Sequence, residues 1–241
     1  MIINFAHRGA SMYYPENTMV AFEKAIEMGC TGIETDVQMT KDGVLVLIHD
    51  EYLDRTTNGI GLVKNYTYNE LRKLDAGSFK DRAFSKCKIP SIEELIECTK
   101  NKNIKINFEI KNSIIFYKNI EEKLLFHIMK ENIEDKVILS SFNHASMNKC
   151  KKLNSNIRTG LLFEKKIKDV DEYLYPIKPN ALHLPYKGLR KELIEKAHKN
   201  NLVINIYTVN DVNYMRKLID MKVDGIITNC PDLLKEVLIE Y

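Results

Sequence analysis

The sequence predicts an α/β protein built as a (β/α)8 barrel, a single domain over residues 1–241. Short apolar, β-branched runs alternate with amphipathic helical stretches along most of the chain, and eight such runs remain when one short return run is set aside. Eight repeats in a domain of about 250 residues point to parallel strands ringed by helices. The polar residues supply the second observation: His7, Arg8, Glu34, Asp36, Glu109, Lys111, His183, Tyr207 and Asn229 lie in the second half of a run or just beyond it. In such a barrel the C-terminal strand ends share one face, where activity is built.

Residues 2–6 form an apolar run that ends at His7 and read as a buried strand. Asn17 or Thr18 can cap a helix whose apolar positions Met19, Val20, Phe22, Ala25 and Ile26 keep a 3.6-residue period, with Gly29 as its stop. Residues 33–37 make the second strand. Lys41-Asp42-Gly43 is a turn, and VLVLIHD at 44–50 returns as an extended run. Residues 52–90 break the rhythm: they are richer in Gly, Asn, Thr and charge, with one short helical pattern at 68–74. They read as a small insertion after the second barrel strand, a lid or wall beside the site. The alternation then resumes with helix 92–99, strand 104–110, helix 120–130, strand 137–139, helix 145–152 and strand 159–163. It continues with helix 170–175, strand 181–184, helix 191–200, strand 203–207, helix 212–219, strand 225–228 and helix 233–239.

Composition narrows the function classes. A hydrophobic content of 44% and a charged content of 29% are those of an ordinary globular protein with a sizeable core. The net charge of +3 is small and the lysines are dispersed, which argues against nucleic-acid binding. Five scattered cysteines, odd in number and without a C-x-x-C pair, suggest free thiols in a reducing compartment. The N-terminus lacks the pattern of a secretory signal, and no stretch approaches about 18 consecutive apolar residues. A soluble cytoplasmic protein without stable membrane insertion is expected; monomer and homodimer are equally compatible.

Glu34 and Asp36 alternate on a strand and so point to one face. Carboxylates placed together repel unless a cation or proton sits between them, and oxygen donors suit Mg²⁺ or Ca²⁺ better than zinc. Glu109, near the end of NFEIK, can join them as a third ligand of one divalent cation, and Lys111 supplies a cation for an anionic substrate. His7 and His49 form a candidate general acid and base. Arg8 suits a fork-like grip on phosphate. Together these groups favour phosphoryl chemistry on a small-molecule substrate. His183 and Tyr207 are candidate pocket walls, while His127 and His198 read as helix-face residues and His144 as a residue at a helix start. Asn58-Gly59-Ile60-Gly61 lacks the spacing of a phosphate-binding loop.

The stretch HRGASMYYPENTMVAFEKAIEMGCTGIETDVQMTKDGVLVLIHDEYLDRTTNGIG closely resembles the opening of the glycerophosphodiester phosphodiesterases, a family with a TIM-barrel fold. The resemblance continues through IPSIEELIE, FEIK, SSFN, YTVN and GIITNCPD, and so covers essentially the whole chain. It implies that Glu34, Asp36 and Glu109 hold one divalent cation, that His7 and His49 are the acid–base pair, and that Arg8 and Lys111 contact phosphate. The implied reaction converts a glycerophosphodiester, such as glycerophosphocholine or glycerophosphoethanolamine, to sn-glycerol 3-phosphate and an alcohol, with a cyclic phosphate intermediate as one route. Tyr207 stands where many relatives carry tryptophan, and Asn229 where many carry aspartate. Neither belongs to the implied catalytic set, so they bear on substrate preference. Two other functions compete. A lysophospholipase D or sphingomyelinase D type of enzyme wants an apolar rim, which the polar insertion (Lys80, Asp81, Arg82) does not offer. A silent binding barrel predicts loss of a histidine or carboxylate, yet every position is filled.

Overall fold

The computed structural model describes residues 2–174 and 177–241. The strands, in chain order, are β1 (Ile3–His7), β2 (Gly32–Met39), β3 (Leu45–Leu47), β4 (Lys105–Ile110), β5 (Val137–Ser141), β6 (Arg158–Leu162), β7 (Ala181–Pro185), β8 (Val203–Tyr207) and β9 (Gly225–Thr228). The helices are α1 (Met19–Glu27), α2 (Tyr68–Leu71), α3 (Ile92–Thr99), α4 (Ile120–Lys130), α5 (His144–Leu153), α6 (Lys191–Lys199), α7 (Val212–Asp220) and α8 (Pro231–Ile239). Eight strands run parallel in the order β1-β9-β8-β7-β6-β5-β4-β2, and the β1–β2 pairing closes the barrel. β3 is the return run: it pairs antiparallel with the end of β2, Val37 opposite Leu47. The (β/α)8 expectation is met.

The main core lies between barrel and helices. Ile33, Val37, Phe108, Leu139, Leu161, Ile204 and Ile226 on the outward strand faces share one buried cluster with Phe22, Leu95, Leu124, Met147, Ile194, Met215 and Leu234 from the helices. Strand alternation sends the other set of residues inward, where Phe5, Ile138 and Ile227 form a separate small cluster. The polar side chains of Glu34, Asp36, Asn107 and Glu109 point inward for the same reason, since each alternates with an outward apolar neighbour.

The insertion between β3 and α3 holds α2, two short 3-10 turns (Val63–Asn65 and Arg82–Phe84) and an apolar cluster that includes Val46, Leu53, Val63, Leu71 and Ile89. A capping box formed by Thr67 and Glu70 starts α2. Lys80 ties the insertion to the loop after β1 by donating to the Met12 carbonyl oxygen at 2.8 Å. Two helices depart from expectation. The pattern at 170–175 yields only a 3-10 turn at Asp171–Tyr173, and Tyr175 lies outside the described residues. α8 begins at Pro231 rather than at residue 233, because proline at a first helical position has no N–H to leave unpaired. Among the described residues, no helix is long and apolar enough to cross a membrane.

Candidate functional site

Two strands assemble an acidic cluster, and a third brings His7 beside it. The register sets His7 of β1 opposite Glu34 of β2, and Asp36 of β2 opposite Glu109 of β4. One carboxylate oxygen from each of Glu34, Asp36 and Glu109 lies within 4.8 Å of the others, and all three residues are buried. Burial and the neighbouring carboxylates push Glu34 and Glu109 above the usual carboxylate range. Burial acts on Asp36 in the same direction, but Arg8 and Lys111 outweigh it and hold the group below that range. The arginine Nε lies 3.3 Å from Asp36 Oδ2, and Lys111 Nζ lies 3.7 Å from Oδ1 and 2.9 Å from Glu109 Oε1. Asp36 Oδ1 is buried without a hydrogen-bond partner. An all-oxygen donor set with an orphaned carboxylate oxygen fits a hard divalent cation.

The loop after β1 is bent to reach this cluster. Arg8 and Gly9 both take positive φ, 57° and 81°, which turns the chain sharply off the strand. The Arg8 amide donates to the Glu34 backbone oxygen at 2.8 Å. Thr18 caps α1, and Asn17 turns toward the acidic cluster instead. The Asn17 side-chain amide donates to Asp36 Oδ2 at 2.9 Å while its carbonyl oxygen accepts from Thr35 Oγ1 at 2.7 Å. Asn17 therefore fixes a carboxylate of the acidic cluster, whereas its sequence context suggested only a helix cap.

The two histidines have different partners. His7 Nδ1 lies 2.6 Å from Asn229 Oδ1, a neutral acceptor, so Asn229 touches the candidate catalytic set, against the expectation that it bears on substrate preference alone; burial and Arg8 lower the His7 pKa to about 4. His49 Nδ1 lies 2.6 Å from Asp50 Oδ1, a carboxylate. Gln38 holds the His49 backbone by donating to its carbonyl oxygen at 3.0 Å, and Tyr117 steadies Gln38 through a 2.7 Å hydrogen bond. Asp50 is itself held by Arg55, whose hydrogen bonds lower the Asp50 pKa to about 2. Glu16, Asp50 and Arg55 had no assigned role in the sequence, although Glu16 and Asp50 stand inside the PENT and IHD motifs.

A cavity of about 150 Å³ opens over these groups, lined by His7, Arg8, Glu34, His49, Asn107, Glu109, Phe142, Leu162, Tyr207, Thr208 and Ile227. Tyr207 is therefore a wall, with its hydroxyl donating to the Phe163 carbonyl and its ring edge-on to Phe142 at 6.4 Å. His183 is not on that wall. It sits fully buried in the barrel interior, its Nε2 3.1 Å from Asn205 Nδ2, because its position at the centre of β7 leaves it short of the strand end. His127 and His198 pair with Glu93 and Asp224 on the outside, and His144 contacts the Leu162 carbonyl oxygen.

The model of the glycerophosphoryl diester phosphodiesterase family matches residues 7–233. The chain belongs to this family. All the candidate residues of this glycerophosphoryl diester phosphodiesterase family member lie inside the matched span. A glycerophosphodiester phosphodiesterase of Caldanaerobacter subterraneus is 43% identical over 229 residues, covering 95% of this chain and 94% of its own. One from Bacillus altitudinis is 44% identical over 231 residues, covering 95% and 94%. Among solved structures, an Oleispira antarctica phosphodiesterase in complex with the product sn-glycerol-3-phosphate superposes with a TM-score of 0.87 at 26% identity, covering 98% of this chain and 96% of that one. A glycerophosphodiester phosphodiesterase from Thermotoga maritima gives 0.81 at 30% identity, with 98% of each chain covered.

Proposed function

We propose that the protein hydrolyses glycerophosphodiesters to sn-glycerol 3-phosphate and a free alcohol. The observation that carries this reading is the convergence of two histidines, three carboxylates, an arginine and a lysine from distant strand ends around one small cavity, in a chain of this family. Glu34, Asp36 and Glu109 would hold one divalent cation, Mg²⁺ or Ca²⁺, which when bound neutralises phosphate charge. Arg8 and Lys111 add positive charge for the same phosphate.

The histidine partners divide the proton work. Asn229 Oδ1 can only accept, so neutral His7 carries its proton on Nδ1 and presents a bare Nε2. Nε2 takes the proton of the attacking hydroxyl, from water or from the substrate's own glycerol. Asp50 behind His49 holds the imidazole through Nδ1 and leaves Nε2 for the substrate. His49 donates a proton to the departing alcohol oxygen as the P–O bond breaks.

The test is release of sn-glycerol 3-phosphate from glycerophosphocholine and glycerophosphoethanolamine, with EDTA and then with added Mg²⁺ or Ca²⁺. Turnover that EDTA stops and one cation restores is expected. His7→Ala and His49→Ala should each lower kcat by at least about 100-fold while divalent binding persists. No turnover on either diester with either cation would overturn the substrate assignment, and near-native rates in both variants would overturn the acid–base pair.

A further inference from the structure

Arg55 belongs to the insertion, yet its guanidinium reaches both catalytic loops. Nε and Nη2 donate to Asp50 Oδ2 and Oδ1 at 2.7 and 3.0 Å. Nη1 and Nη2 donate to Glu16 Oε2 and Oε1, both at 2.8 Å. Each carboxylate then touches a different working group: Asp50 Oδ1 holds His49 Nδ1 at 2.6 Å, and Glu16 Oε1 accepts from Arg8 Nη1 at 2.9 Å. Arg8 in turn faces Asp36 at 3.3 Å. One unbroken chain of polar contacts therefore runs from His49 through Asp50, Arg55, Glu16 and Arg8 to Asp36.

We propose that Arg55 is a positioning residue, a fork that fixes the carboxylate behind His49 and the carboxylate behind Arg8 together, so that a contact made by the insertion sets both proton donor and phosphate grip. The inference rests on the hydrolytic reading above. Glu16 lies in the loop after β1 and Asp50 in the segment after β3, so the two carboxylates reach the site on separate stretches of backbone. A planar guanidinium with paired donors holds two carboxylates in one geometry, which a single ammonium does not. The Arg55 side chain is 45% exposed, and ion pairs at such positions contribute little to stability. Its role is thus expected to show in turnover far more than in unfolding.

The experiment uses the full chain with saturating divalent cation and two diesters of glycerol phosphate, one releasing choline and one releasing p-nitrophenol. Choline's alkoxide needs a proton as it leaves, whereas p-nitrophenolate barely does. Wild-type turnover of either diester establishes the underlying reading; failure on both would sink that reading rather than the role of Arg55. In active protein, Arg55→Gln should lower kcat for the choline diester by about 100-fold, the scale of general acid catalysis. The p-nitrophenyl diester should lose less than about tenfold, and KM should rise for both as the Arg8 grip loosens. In an Asp50→Ala background the same substitution should cost less than about threefold in kcat, because the link to His49 is already cut. The melting temperature of Arg55→Gln reports that the protein is folded. Equal losses on the two diesters, full additivity with Asp50→Ala, or wild-type kinetics would each overturn the proposal.

Discussion

At the scale of the residue, the decisive feature is crowded negative charge. Glu34 sits among Asp36 and Glu109 with its pKa raised well above the ordinary carboxylate value. A carboxyl whose pKa is raised on folding contributes stability below its unfolded pKa and loses it as pH rises through the folded value. Without cation, Glu34 therefore costs the fold stability at any pH above the ordinary carboxylate range. Glu34→Gln should raise the melting temperature in EDTA at pH 7.5 and lower it relative to wild type once Mg²⁺ or Ca²⁺ is added, because wild type alone then gains full binding energy. Calorimetric titration should show cation affinity weakened by at least about tenfold, the scale expected of a disturbed metal site. A variant that melts below wild type in EDTA, or binds cation equally well, would remove Glu34 from the ligand set. The E-x-D spacing made this cluster legible because strand alternation is fixed by backbone geometry. The roles of Asn17, Glu16 and Arg55 were not legible, since they depend on loop backbone that brings residues 16 and 55 to one carboxylate–guanidinium contact. His183 was misplaced toward the pocket because a strand candidate marks direction but not depth in the barrel.

At the scale of the element, the turn from β1 into α1 carries the site, and its tolerance can be tested with glycine. Gly9 has φ +81°, and a Cβ there would come within 2.6 Å of the Ala21 backbone carbon of α1. Gly61 in the insertion has φ +95° but nothing within 4 Å of its would-be Cβ. Alanine at either position meets the left-handed penalty of about 1–2 kcal/mol. Only Gly9→Ala also forces α1 away from the loop that presents Arg8, adding an overpacking cost of about 1–3 kcal/mol. Denaturant unfolding should therefore rank Gly9→Ala as the less stable variant, and kcat should fall with it, while Gly61→Ala keeps near-native turnover. Equal destabilisation would mean that α1 yields freely and does not brace the loop. The helices themselves were readable from sequence wherever apolar positions kept a 3.6-residue period, as in α1 behind its Thr18 cap. The two 3-10 turns of the insertion were not, because each spans too few residues to show a period.

At the scale of the whole molecule, barrel closure places polar groups beneath the site, the titratable His183 among them. Gly160 of β6 makes room for it, since a Cβ there would stand 2.4 Å from His183 Nε2. Its Nδ1 is buried without a partner, and burial lowers its pKa from 6.5 to about 3. A histidine whose pKa is depressed on folding contributes stability that is complete above its unfolded pKa. That stability is lost as pH falls toward the folded value. The unfolded chain takes up this proton near pH 6.5 while the folded barrel refuses it until about pH 3. Through that window His183 alone should steepen the fall of unfolding free energy by about 1.4 kcal/mol per pH unit. His183→Gln keeps a polar side chain beside Asn205 but removes the proton-binding group. Urea unfolding in EDTA between about pH 6 and pH 4 should show the variant losing stability more gradually, by roughly one proton's worth of slope. Parallel slopes would mean that the barrel interior admits the charged imidazole, and that the layer beneath the cavity is wetter than its burial indicates.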